Sequence, residues 1–218
     1  MKKLVVSGLV VGMLAGCASY EKRPMTQESA KALRGQSVAV TARKAPDFTA
    51  MTPAKAAFGL LGAAAMISEG NGIIASNQVA DPASTIAAQL TAAIGANYGT
   101  TSSSNAVATD KDDAPSIAAS ATSADRFVID VQTINWSFVY FPSSWGRYRV
   151  IYTAKARLID AQSKSVIAEG FCKRIPEDAT NAPSYDELLN NQAARLKSEL
   201  SLAAEECVKT LKAEMLAL

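Results

Sequence analysis

Asp130, Asp160 and Glu169 are the side chains on which acid–base chemistry would have to rest, because the sequence contains no histidine. Without an imidazole there is no Ser-His-Asp or Cys-His nucleophile, no usual base at neutral pH and no commonest metal ligand. Two carboxylates are enough for glycoside cleavage, so a cell-wall hydrolase built on a pair of these acids is one reading. All three sit at ordinary strand and turn positions, however, and the chain has no G-x-S-x-G, P-loop or G-x-G-x-x-G run. Asp110, Asp112 and Asp113 crowd together but lack the ordered ligand spacing, the closing glutamate and the glycine of an EF-hand calcium loop. The expectation is a protein without enzymatic activity, cofactor or metal.

Aromatic side chains are the other concentration of chemistry. Phe127, Trp136, Phe138, Tyr140, Phe141, Trp145, Tyr148 and Tyr152 surround one predicted hairpin. Alternation buries Tyr148 and Tyr152, so part of the group must serve the core. Trp145 differs, because it falls in the connection "FPSSWGR" between two strands, where burial is hard to arrange, and Arg147 and Arg149 follow it. An exposed tryptophan flanked by arginines has the composition of a binding anchor. Trp145, Arg147, Arg149, Tyr140 and Phe141 are therefore the predicted partner-binding residues, with an envelope protein or a glycan as partner.

The three cysteines divide into one and two. Cys17 follows Lys2, Lys3, an apolar stretch from Leu4 to Leu14, and the small residues Ala15 and Gly16. Basic start, apolar run and small residues are the layout of a secretory signal, and the run is too short for the roughly 20 residues of a spanning helix. Leu14-Ala15-Gly16-Cys17 resembles the lipobox of bacterial lipoproteins. The resemblance implies cleavage before Cys17 and attachment of diacylglycerol to its sulfur. Acyl chains on Cys17 would anchor the protein durably, since each buried CH₂ contributes about 0.8 kcal/mol. Ala18 and Ser19 resemble the residues of lipoproteins sent to the outer membrane rather than those retained by an aspartate.

Removal of Lys2 and Lys3 with the signal leaves 20 basic side chains against 20 acidic ones. A neutral mature chain without a basic run excludes nucleic acid as the expected partner. Cys172 and Cys207 remain. Cys172 closes the strand-like run "SKSVIAEGFC", and Cys207 lies in a helical inward series Leu189, Gln192, Leu196, Leu200, Ala203, Cys207, Leu211. Both thiols point toward one interior, so a disulfide is expected in an oxidising compartment, with two buried free thiols as the alternative.

The elements that must position these residues follow from periodicity. The signal occupies residues 1–16, and 17–36 read as the lipidated N-terminus and a polar tether. A single periplasmic domain follows over 37–218. "SVAVTAR" is a short strand; Thr52 and Pro53 start an Ala-rich helix over 52–68. That helix is apolar all round from Ala56 to Ile67. Its expected place is between layers of the domain, with a membrane-active or self-associating helix as the functional alternative. Gly70 and Gly72 read as its stop, a short strand over 73–79 as its sequel, and Asp81-Pro82 as the start of a second Ala-rich helix ending at Gly99. Residues 99–125, rich in Ser, Thr and Ala, read as a flexible loop.

From Arg126 three strands of a meander alternate to about residue 173, with a bulge near Thr133. A long helix from Ser184 to Ala217 opens with capping-box spacing to Glu187. The predicted fold is thus α+β: a three-stranded antiparallel meander plus short N-terminal strands, covered by two Ala-rich helices and the C-terminal helix. This order of elements resembles the periplasmic α/β lipoprotein domains that serve as accessory factors of envelope machines, including the curli secretion and penicillin-binding-protein activator types. The resemblance is one of architecture; the lipid anchor, the disulfide and the exposed aromatic hairpin are what point to a non-enzymatic, outer-membrane-anchored accessory or assembly factor that binds another envelope component. A carrier holding a lipid or other apolar ligand between an Ala-rich helix and the sheet is the second reading.

Overall fold

Two long strands organise the molecule. In the computed structural model, which describes residues 22–218, β4 (Phe127–Phe141) and β5 (Ser144–Asp160) pair antiparallel along their whole length, and β6 (Ser165–Arg174) continues the meander. The alternation in "RYRVIYTAKARLID" becomes a buried face carrying Tyr148, Val150, Tyr152, Ala154, Ala156 and Leu158. The register slips between Thr133 and Asn135, at the predicted bulge, which lets Val131 and Trp136 both turn inward although their phases differ.

The rest of the sheet is parallel to β4. β1 (Ser37–Ala42) lies along its first residues, and β2 (Thr49–Met51) returns to the same edge beside Ser137–Val139. β3 (Thr101–Ala108) pairs with β1, giving the order β3-β1-β4-β5-β6. Helices α3 (Gly59–Asn77), α4 (Pro82–Tyr98) and α6 (Tyr185–Glu214) cover one face over the main core. The short α5 (Ala114–Ser120) closes a second, smaller core on the other face, with Ile117 packed among Ala39, Val107, Val128 and Ile159.

Local signals set the helix ends as the sequence implies. Asp81 accepts from the Ala83 N–H at the head of α4, and Gly99 ends it in a left-handed conformation. Ser184 and Glu187 form the reciprocal capping box of α6. Cys172 of β6 and Cys207 of α6 are disulfide-bonded, joining sheet to helix at Cα atoms 5.2 Å apart.

Several expectations are corrected. The supposed loop at 99–125 holds β3 and α5: β3 is an edge strand burying only Val107, so its Ser/Thr-rich sequence carries no apolar alternation. The supposed tether is docked from Arg23 onward. Arg23 and Glu169 exchange main-chain hydrogen bonds of 2.9 and 2.8 Å, Met25 N–H donates to Met215 O, and α1 (Gln27–Leu33) buries Leu33. Gly70 and Gly72 do not stop a helix, and no strand follows them, because α3 runs on to Asn77. A Cβ at Gly70 would lie 2.1 Å from Phe48 O, so glycine serves close approach of α3 to the chain entering β2. Finally, α6 is interrupted at Asn190–Ala193, where Asn191, Gln192 and Ala193 have positive φ. Around the break Leu188 and Ala193 are fully buried, Leu189 packs half-buried against the core, and Gln192 is exposed.

The predicted helix over 52–68 is two pieces. Thr52 caps and Pro53 opens α2 (Pro53–Ala56), and the chain turns at Gly59, whose φ is +55°, into α3. Gly62 rests on the carbonyl of Lys55, where a Cβ would be 1.9 Å from the oxygen. The corner between them is not buried between layers. Phe58, Leu60 and Leu61 are 70, 92 and 81% exposed.

Candidate binding surface

Most of the aromatic concentration is core. Phe48 meets Trp136 and Phe138 edge-on at 5.1 and 5.8 Å, and Phe138, Tyr148 and Tyr185 close a triangle with centroids 5.7 to 5.8 Å apart. Edge-to-face contacts at these spacings are the favourable arrangement of ring quadrupoles. Trp136 also donates its indole N–H to Pro46 O at 2.9 Å. Tyr185 Oη donates to Glu69 Oε1 at 2.6 Å, and Lys55 pairs with the same carboxylate, so α2, α3 and α6 are bound together beside the hairpin. Burial pushes the Glu69 carboxyl up, but hydrogen bonds from Lys55 and Tyr185 outweigh it and hold it below the usual range. Burial and the neighbouring Glu69 raise the Tyr185 phenol well above its ordinary value.

The five predicted partner-binding residues separate. The tight turn is Pro142-Ser143, so Trp145 stands early in β5 rather than in the turn itself. The residue is 69% exposed, and its indole N–H donates back to Pro142 O at 3.1 Å. Tyr140 is half-buried opposite Tyr148. Phe141, at 3% exposure, is a core residue instead of a contact, with the Arg149 guanidinium 5.1 Å above its ring. Arg149 also donates to Pro176 O, and Arg147 donates to Ala182 O and pairs with Glu187. Both arginines thus hold the segment between β6 and α6 against the hairpin. Of the five, Trp145 is the large hydrophobic side chain that stays exposed; Arg147 is exposed two residues on, with its Nη1 already engaged.

Asp130 and Asp160 are engaged in ion pairs and hydrogen bonds within the fold. Asp130 is buried and accepts from Thr41 Oγ1 (2.8 Å), Arg43 Nε (2.6 Å) and Arg157 Nε and Nη2 (3.0 and 2.6 Å). Burial raises its pKa, but the arginines win and hold the carboxyl below the usual range. The two guanidiniums also donate to Lys111 O and Asp112 O, which fastens the start of the α5 segment to the sheet. Asp160 pairs with Arg126 and accepts from the N–H groups of Gln162 and Ser163 in the β5–β6 turn. Glu169 uses its main chain to dock Arg23. Asp113 caps α5 through the Ser116 N–H. Among the described residues no group of acids and cysteines is arranged to hold a metal ion. Cys17 lies outside the described residues.

A groove of about 650 Å³ runs between α4 and the sheet, lined by Val40, Ala42, Ala83, Ala88 and Val131, with Arg43, Lys44 and Asp81 among its polar edges. Sequence reading identified Asp81 as a helix cap only. Thr133 Oγ1 donates to Asp81 Oδ1 at 2.5 Å and lies 2.9 Å from Tyr152 Oη. Having one hydroxyl hydrogen, Thr133 accepts from the tyrosine. Burial raises Asp81 above the usual carboxylate range in spite of these partners.

No family model matches the sequence, and no curated protein matches it. Solved structures give low-identity likenesses. They include the PelC dodecamer of Paraburkholderia phytofirmans at 13% identity and TM-score 0.37, over 90% of this chain and 96% of that one. A neuraminyllactose-binding hemagglutinin homologue from Helicobacter pylori follows at 11% and 0.39, over 90% and 87%. Lipoprotein GNA1162 of Neisseria meningitidis stands at 12% and 0.29, over 80% and 98%. No described helix is long and apolar enough to cross a membrane.

Proposed function

We propose that this chain is a non-enzymatic lipoprotein of the bacterial cell envelope, anchored through Cys17 in the outer membrane with its domain in the periplasm, and that it is an accessory or assembly factor. The observation that supports binding is the exposed Trp145 ring at the hairpin end, on a hairpin stiffened beneath by the Phe138–Tyr148–Tyr185 cluster. A rigid aromatic loses little conformational entropy on docking, which is why such side chains dominate the energetics of interfaces. The partner is an envelope protein or a glycan.

Mass spectrometry of what co-purifies with the lipidated protein from mild-detergent membranes tests this, with Trp145→Ala alongside. A discrete partner is expected with the wild type and lost with the variant, at unchanged Tm. Equal capture by both proteins would remove Trp145 from the interface.

The groove between α4 and the sheet favours a second reading, in which the protein carries an apolar ligand. Stoichiometric lipid in the purified protein, without a protein partner, is the result that would put it first.

A further inference from the structure

Arginines converge on one small cavity beside the hairpin. It holds about 230 Å³ between the sheet, the 175–184 segment and α6, and Arg149, Arg174 and Arg195 line it together with Glu199 and Asp178. The acids are already engaged. Glu199 accepts from Arg174 Nη2 at 2.9 Å and from Arg195 Nη2 at 2.8 Å, while Glu206 accepts from Arg174 Nε at 3.1 Å. Asp178 turns Oδ1 to the N–H and hydroxyl of Thr180. Arg149 has no carboxylate within ion-pair distance among the described residues: its Nη1 donates to Pro176 O, and its guanidinium lies over the Phe141 ring.

Two donors in this cluster are left over. Arg149 Nε and Arg174 Nη1 are both buried and have no hydrogen-bond partner among the described residues. A buried N–H of a charged group is costly without an acceptor, so such a group marks either strain or a site whose acceptor comes from outside the chain. Here two of them belong to different guanidiniums that line the same cavity. An acceptor that serves both and also supplies the negative charge missing opposite Arg149 is an oxyanion, because carboxylate and phosphate oxygens match the planar guanidinium fork. Water would bring lone pairs but no charge. The roof of the cavity is the 175–184 segment, which forms no helix or strand and is held down by Arg149 at Pro176 O and Arg147 at Ala182 O, so a small shift of that segment admits the oxygens.

The surroundings select among anions. The cavity is smaller than the roughly 300–1,000 Å³ of sites that enclose a whole ligand, so it takes one group of a larger molecule. Asn181, Pro183 and Arg195 also line an adjoining hollow of about 550 Å³, to which Thr180, Asn190 and Asn191 contribute. Amides and hydroxyls that both donate and accept suit the hydroxyls of a sugar. Asn190 and Asn191 stand exposed at the break in α6, where residues 191–193 hold positive φ, a conformation that recurs at binding sites. Arg147 lines the same hollow and lies two residues from Trp145 in β5. We infer that the cavity is the subsite for the carboxylate of an acidic sugar, with the rest of the glycan lying over Asn181, Asn190 and Asn191 toward Trp145. This rests on the reading of the hairpin end as a binding surface, and it deepens that reading by making the partner an anionic glycan.

Calorimetric titration of the full-length protein in detergent micelles, at fixed ionic strength, tests this with trigalacturonate, neutral galactotriose, triglutamate and inorganic phosphate. Trigalacturonate is expected to bind about tenfold or more tighter than each of the other three, and Arg149→Gln should weaken it by a similar factor in a protein that still melts cooperatively. In the wild type, the Arg149 Nε–H signal in proton–nitrogen NMR should move on saturation, which decides the question even if Arg149→Gln fails to fold. No binding of trigalacturonate, or an Nε–H signal that stays in place, overturns the site. Equal binding of galactotriose overturns the carboxylate; equal binding of triglutamate or of phosphate overturns the sugar. Partner capture that is still lost in Trp145→Ala, alongside no binding of trigalacturonate, removes the acidic sugar and leaves the hairpin-end surface standing.

Discussion

Two apolar stretches of this chain meet opposite fates. From Phe127 to Tyr152 large side chains alternate with polar ones, and the strands they form send Phe127, Phe138, Tyr148 and Tyr152 into a single buried face. From Ala56 to Ile67 apolar residues run on all sides of the helices, and Phe58, Leu60 and Leu61 remain outside. An amphipathic element tells the fold which side to bury; an element without polarity has no side, and only what it touches decides its burial. The difference teaches that hydrophobicity marks the core only when it has a period.

Substitutions can break this comparison, beginning with the deepest. Phe138→Ala removes the ring shared by the two aromatic clusters and should cost about 3 to 5 kcal/mol in chemical denaturation. Leu60→Ala, with no described neighbour to lose, should stay within about 0.5 kcal/mol of wild type. Equal losses at the two positions would mean that the corner is core after all.

Asp130→Asn should follow closely in size, since it leaves Arg43 and Arg157 facing a neutral amide in a buried site; breaking such a pair costs about 3 to 5 kcal/mol. The pH dependence has a definite sign. The folded-state pKa of Asp130 lies below its unfolded value, so its contribution is complete above the ordinary carboxylate range and is lost as pH falls through the depressed folded value. Acid titration of wild type and Asp130→Asn should therefore converge at low pH. Asp81, raised by burial, acts oppositely and takes away stability as it ionises.

A glycine pair within α3 separates the docked part of that helix from its free side. Gly70→Ala drives a Cβ into the backbone of Phe48 and should cost about 1 to 3 kcal/mol. Gly72→Ala meets nothing within 4 Å and should stabilise by about 0.5 to 1 kcal/mol. Thermal melts of both variants give the contrast directly.

What the sequence made legible was whatever a short window encodes. The alternation of β5, the phase slip at Thr133, the Asp81-Pro82 start of α4 and the Ser184/Glu187 box all act between neighbours in the chain. β3 was illegible because its partner is β1, more than sixty residues earlier, and its exposed Ser/Thr side chains carry no pattern. The docked Arg23–Met25 segment depends likewise on β6 and the end of α6, both distant. Among the candidate residues, the exposure of Trp145 was legible because a tryptophan beside a two-residue turn has nowhere to hide. Phe141 and Arg149 were not, because the segment between β6 and α6 folds over them and turns a predicted contact into a packed cation–π pair.

The most direct test of the account is photo-crosslinking in intact cells from a benzoyl-phenylalanine placed at position 145, with position 162 in the β5–β6 turn as the comparison. The account predicts one discrete envelope adduct from 145 and none from 162. No adduct from 145, or the same adducts from both positions, would contradict a binding surface at the hairpin end.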